Sequence, residues 1–134
     1  VMHHLILAEG QCLQYCQKKI KQKAALKRAN WRSVLRQKIV SSYLESPLKY
    51  KAPPSTSGDQ LPEKETLENT LQNWKNQRQK TREFILQIPE ADLDKEIFKH
   101  PAAGKMSIYS MLKFFDSHFI NHRRQIERTL EAVE

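Results

Sequence analysis

Apolar side chains recur every three or four positions along four stretches of this chain, the spacing of an amphipathic helix. The clearest stretch covers about 63–88. There Leu67, Leu71, Trp74, Arg78, Thr81, Ile85 and Ile88 step along one face, and Pro89 stops the run. A last helix is capped by Ser107 and runs to about 132, with its stripe on Ile108, Met111, Leu112, Phe115, Phe119, Ile126 and Leu130. Asn30 is an N-cap for a helix over 30–45, where Trp31, Val34, Leu35, Ile39 and Tyr43 share a face and Pro47 ends it. The opening stretch VMHHLILAEGQCLQYCQKKI is helical to about residue 22. It starts without the Ser, Thr, Asp or Asn that normally opens a helix, as if in mid-helix.

Between the second and third helices lies SPLKYKAPPSTSGDQLP, with four prolines, a long extended connection. PEADLDKEIFKHPAAGKM, at 89–106, reads as a loop with one short turn. No segment reads as a strand and none repeats. The expected fold is all-α: one domain over 1–134, a helical bundle with a long crossover connection.

Composition agrees. Hydrophobic residues make up 39% and charged residues 28% of 134 residues, the balance of a folded globular chain. Three glycines favour helix. No apolar run approaches the roughly 20 residues that span a bilayer, so no membrane partner is expected. The net charge of +8 is concentrated in KKIKQKAALKRANWRSVLRQK, at 18–38. Such a stretch can contact nucleic acid or another polyanion. Here the cations are spread around the helix and Trp31 is the only aromatic among them, so a solvated face is the preferred reading. Cys12 and Cys16 stand one helical turn apart, an awkward geometry for a disulfide. They read as reduced thiols of a cytoplasmic protein.

The chemistry concentrates in DSHFINHRRQI, at 116–126. His118 and His122 are about 40° apart around a helix and about 6 Å along it. They continue the stripe of Phe115, Phe119 and Ile126, so both face inward. One inward histidine is commonly a hydrogen-bonded core residue. Two at this spacing can chelate one metal ion, each through a single ring nitrogen. The candidates for a third ligand are His3, His4, His100, Cys12 and Cys16. Cys12 lies about 12 Å along the axis from His4, too far for the two to share an ion easily. Ala8 and Cys12 on the same edge as His4 leave space beside it. His4, His118 and His122 thus form one set of three imidazoles on two helices, the layout of a metal with an open position. Such ligands suit Zn, Ni, Fe or Cu, with Zn and Ni foremost. The open position would take a water or a thiol and lower its pKa.

Two segments also carry a family likeness. HHLILAE, at 3–9, resembles the HLxxxE pattern on the second helix of the DinB-like (DinB and YfiT) superfamily. HPAAGKMSIYSMLKFFDSHFINHRRQI, at 100–126, resembles its closing signature: HPxxG, a helix start, then HxxxHxxQI. The resemblance implies a four-helix bundle, often a homodimer, with a divalent ion held in a cleft by His4, His118 and His122. His4 is preferred to His3 because Leu5 and Glu9 follow it in the motif. Some members are transferases or isomerases that work with low-molecular-weight thiols such as bacillithiol or mycothiol. Members carry a full helix before the first metal histidine, so the chain looks N-terminally truncated. The helix over 30–45 would then be an insertion in the crossover. No catalytic acid or base is evident: Glu9 is about 140° around the helix from His4.

Other residues have quieter expectations. His100, with Pro101 and Gly104, shapes a turn. Gln125 can hydrogen-bond a ligand imidazole, and Arg78 can reach an acidic group across the bundle. Arg123 and Arg124 are surface or ion-paired, Trp74 is core, and Tyr15 sits near Cys12. The leading function is a metal-dependent thiol S-transferase or isomerase acting on a small molecule. Its alternatives are a non-catalytic metal-binding bundle and a basic polyanion-binding protein.

Overall fold

The computed structural model describes residues 1–46, 54, 61 and 64–133. The described residues form four α-helices: α1 (Met2–Ile20), α2 (Trp31–Glu45), α3 (Leu67–Leu86) and α4 (Ile108–Glu131). Most of the expected crossover, 47–62, lies outside the described residues. The caps act as their side chains allow. Asn30 Oδ1 accepts from the backbone N–H groups of Arg32 and Ser33 at 3.0 and 3.2 Å. Ser107 Oγ accepts from Ser110 N–H at 3.1 Å. Helix α3 starts at Leu67 rather than 63 because Thr66 is its cap, accepting from Asn69 N–H at 3.2 Å.

The helices pack as two pairs, α1 along α3 and α2 along α4. Glu9 meets Arg78 and His3 meets Thr70, so α1 and α3 run parallel. Arg36 reaches Lys105 while Leu44 reaches Asn121, so α2 and α4 run parallel too. Cys16 meets Met111 at 3.7 Å and His4 meets His118 at 3.3 Å, so the pairs are antiparallel to each other. Helix α2 therefore packs as a member of the bundle, where it was expected to be an insertion in the crossover.

The segment expected as a loop contains a hairpin. Strand β1 (Phe98–His100) pairs antiparallel with β2 (Gly104–Met106), in the register Phe98↔Met106, Lys99↔Lys105, His100↔Gly104. Gly104 has φ of 79°, the left-handed conformation that closes a three-residue hairpin loop. Phe98 and His100 point inward and Lys99 outward. The hairpin packs on α1, α2 and α4. Phe98, Met106, Ile97, Ile108 and Met111 have no exposed surface at all, and each such side chain contributes about 1.5–3 kcal/mol by burial.

Two apolar faces fall elsewhere than expected. In α2, Trp31, Val34, Leu35, Ile39 and Tyr43 are exposed, and Ser33, Gln37 and Leu44 are buried against α4. Helix α4 likewise buries Ser110 and Ser117. Gln37 meets part of its hydrogen-bonding need by donating to Ser41 at 2.8 Å. In α4, Phe114 and Ser117 join the buried face while Leu112 and Leu130 stay exposed. In α3, Leu67 and Leu71 are exposed and Thr70, Thr81 and Phe84 are buried. The end of α2 is finished by α4: Asn121 donates to Leu44 O, Arg124 to Glu45 O at 2.7 Å, and Ser117 to the Glu45 carboxylate at 3.0 Å. No helix among the described residues is long and apolar enough to cross a membrane.

The α1–α3 contact is pinned by an ion pair. Glu9, 1% exposed, accepts from Arg78 at 2.6 Å. Burial raises the Glu9 pKa, and Arg78 and the Trp74 indole N–H oppose that rise. The second carboxylate oxygen and the indole N–H fall short of a full hydrogen bond and are left buried without partners, although they are near enough to interact. Arg78 also lies over the Trp74 ring at 5.1 Å. Arg78→Met would strand the Glu9 charge. Because Arg78 is 42% exposed, the expected cost is about 2 kcal/mol, below the range for fully buried pairs. Adding Glu9→Met should recover most of it. Urea unfolding of both variants measures this, and equal loss in the single and double variants would contradict it.

Candidate metal centre

Helix α4 carries His118 and His122 one turn apart, and α1 brings His4 to them across the gap between the helix pairs. His118 Nε2 lies 3.3 Å from His4 Nε2 and 3.1 Å from His122 Nε2. Ligand atoms of the three rings all fall within 4.8 Å of one another. His4 and His118 are buried and His122 is half-buried. Phe114, one turn before His118, stacks on its ring at 5.2 Å and 13°, which fixes the ring plane. Gln125 Oε1 lies 2.9 Å from His122 Nδ1. With hydrogen on Nδ1, that contact turns the Nε2 lone pair of His122 toward the cluster.

Burial lowers the His118 pKa from 6.5 to about 3, with the neighbouring imidazoles of His122, His4 and His100 adding to the shift. Burial also lowers the His122 pKa, partly offset by the Gln125 contact. Both rings are therefore neutral at physiological pH, the form that binds metals.

Hydrogen bonds serve this arrangement poorly. A ring nitrogen offers one in-plane site, either a lone pair or an N–H. Two ring nitrogens face that single site on His118. One well-aligned hydrogen bond is available for two contacts, so hydrogen bonding at this nitrogen is at best shared between them. A cation that accepts a lone pair from each ring would serve both contacts at once. Nitrogens about 2.0–2.1 Å from one tetrahedral ion stand about 3.3 Å apart, close to the two separations seen here. The residues present thus fit a bound metal ion.

The cluster opens on a cavity of about 630 Å³. Its walls are the α1 residues His4, Ala8, Cys12 and Tyr15, the α2 residues Arg36, Ile39, Val40 and Tyr43, the hairpin turn, and Phe114 and His118 of α4. The space left by Ala8 and Cys12 is part of this cavity. His100 does not join the cluster. Its Nδ1 accepts from the backbone N–H groups of Ala102 and Ala103, both at 3.1 Å, so its one ring N–H sits on Nε2. It shapes the turn, packs edge-on against Phe114 at 4.6 Å, and its pKa is lowered by burial. His3 turns away to Glu65 and Thr70, both at 3.3 Å. Glu9 faces α3, away from the cavity. Burial pushes the Cys12 and Cys16 thiols up to about 12, and neither sulfur joins the histidines. Trp74 stacks on Phe119 at 5.2 Å, as core. Sequence reasoning missed Arg36 and Lys99 on the cavity wall. Only the hairpin register and the true facing of α2 bring them there.

A helical bundle with three imidazoles converging on an apolar cleft defines the class. The family model described as DinB superfamily matches residues 1–126, and the chain belongs to that superfamily. No curated protein and no solved structure matches it.

The lowered His118 pKa makes metal-free stability depend on pH. The unfolded chain takes up a proton at His118 near pH 6.5, whereas the folded chain resists until about pH 3, so stability falls as pH drops through that window. Glu9, whose pKa is raised, contributes the opposite sign. Comparison with His118→Ala therefore isolates the histidine. In chelator, calorimetric melting should show a shallower loss below pH 6.5 for that variant. Parallel pH profiles would exclude this role for His118.

Proposed function

We propose that His4, His118 and His122 hold a divalent transition-metal ion, zinc or nickel foremost, and that the protein is a metal-dependent thiol S-transferase or isomerase acting on a small molecule. The reading rests on the convergence of three imidazoles at the spacing of metal ligands, on the wall of an apolar cavity. When bound, such an ion supplies Lewis acidity that lowers the pKa of a coordinated thiol or water. The chain's own residues hold the arrangement in place. Gln125 sets the His122 tautomer, Phe114 fixes the His118 ring, and the apolar walls limit access of water. With its pKa near 12, Cys12 stays protonated and is a poor nucleophile. The attacking sulfur would then come from outside, as a low-molecular-weight thiol. The free state of Cys12 and Cys16 agrees with a reducing, cytoplasmic setting. A second reading, a metal-binding bundle without catalysis, is favoured by one observation: among the described residues no carboxylate lines the cavity to act as acid or base.

Mass spectrometry of tag-free protein should find about one transition-metal ion per chain, the stoichiometry of a three-ligand site. His118→Ala and His122→Ala should each lose it. Failure to retain metal after reconstitution with zinc or nickel at neutral pH would return the histidines to a packing role. Metal retention without turnover across a panel of small thiols and electrophiles would favour the non-catalytic reading. Gln125→Leu keeps all three ligands but frees the His122 ring. Metal affinity measured by chelator competition should fall about tenfold, and an unchanged affinity would exclude the positioning role.

A further inference from the structure

The cavity wall is electrically one-sided. Arg36 of α2 and Lys99 of β1 line it, and among the described residues no Asp or Glu does. Arg36 has one Nη donating to Lys105 O at 2.9 Å, while its Nε is buried without a partner. A guanidinium stays charged and carries five N–H donors, so a single carbonyl leaves most of its hydrogen-bonding capacity unused. A buried donor left unpaired is costly, and an incoming acceptor would relieve that cost. Lys99 pairs with Lys105 across the hairpin, which adds positive charge at the same edge. Elsewhere the wall is mainly apolar, with Ala8, Ile39, Val40 and Pro101 among its residues. A volume of about 630 Å³ lies within the usual range for small-molecule sites, about 300–1,000 Å³.

We infer that this cavity takes an amphipathic carboxylate: an apolar body between α1 and α2, with its acid group held by Arg36 and Lys99. This names a substrate class for the site proposed above and rests on the cavity being that site. The acid group is gripped by the protein's own cations, at the hairpin, and does not depend on an ion at the histidines. Arg36 offers two directed N–H donors to a carboxylate, and Lys99 adds a flexible point charge from the rim.

Calorimetric titration with decanoate, decanol and decylammonium tests this, using the full chain both in chelator and after metal loading, with metal content measured on the same samples. Decanoate should bind about tenfold more tightly than decanol in both states, the scale of a charge-assisted contact. Arg36→Gln should erase that preference and Arg36→Lys should keep part of it. Lys99→Glu should weaken decanoate about threefold and strengthen decylammonium, as expected for an exposed charge. That reversal of sign cannot come from a loosened fold. Equal binding of decanoate and decanol, or no binding of either, would overturn the inference. So would decanoate binding that needs metal, disappears in His118→Ala and survives Arg36→Gln, for then the acid group sits on the ion and the metal site alone stands. A decanoate preference in protein that retains no metal would support the inference while the metal reading fails.

Discussion

The two helix pairs approach each other almost entirely through side chains. Among the described residues, α1 and α4 scarcely touch backbone to backbone, and the space between the pairs must be spanned by long or flat groups. Sulfur spans it at Cys16 and Met111, stacked rings span it at Trp74 and Phe119, and imidazoles span it at His4 and His118. Closely packed helices stand about 8–10 Å apart and leave no room for a ligand. Here the wider seam is closed at one end by the hairpin and left open beside the histidines. The cavity is what this spacing leaves unfilled. The histidine cluster is one of the bridges that spans it.

Helix α1 meets its two neighbours with opposite electrostatics. On the α3 side, Glu9 is buried and answered at once by Arg78. On the cavity side, His4 faces the imidazoles of His118 and His122, and among the described residues no carboxylate lines the cavity. A buried charge that is paired inside the chain is structural, because both partners are spoken for. Imidazole nitrogens that converge on one point have the character of a binding site, since a single cation can take a lone pair from each. The two arrangements sit within two turns of one helix.

Much of this was legible in the chain itself. Asn30 and Ser107 announced their helices because capping depends on local chemistry alone. The inward His118 and His122 followed from helical spacing, and His4 from the motif that also fixes Glu9. The hairpin was not legible, because strands of three residues are too short to establish an alternation. The PAAG turn was its only signal. The facing of α2 was hidden for a different reason. Its apolar positions suggested a buried stripe, but α2 buries Ser33 and Gln37 and α4 buries Ser110 and Ser117, and polar residues carry no periodic apolar signal. With α2 turned, Ile39 and Tyr43 border the cavity instead of a core, and Arg36 comes to the hairpin. A pairing between distant segments decides each of these features, and no local pattern encodes it.

The finishing of α2 by α4 has a dynamic consequence. Ser117 and Asn121, which bond the last turn of α2, each directly precede a cluster histidine, His118 and His122. The turn they hold carries Tyr43 and Leu44 of the cavity wall. Local opening in proteins proceeds in cooperative units set by shared hydrogen bonds and packing. Here the wall and two of the three imidazoles belong to one such unit. Fraying at the end of α2 would disturb the segment of α4 that orients the rings, so the cavity and the cluster would loosen and re-form as a single event.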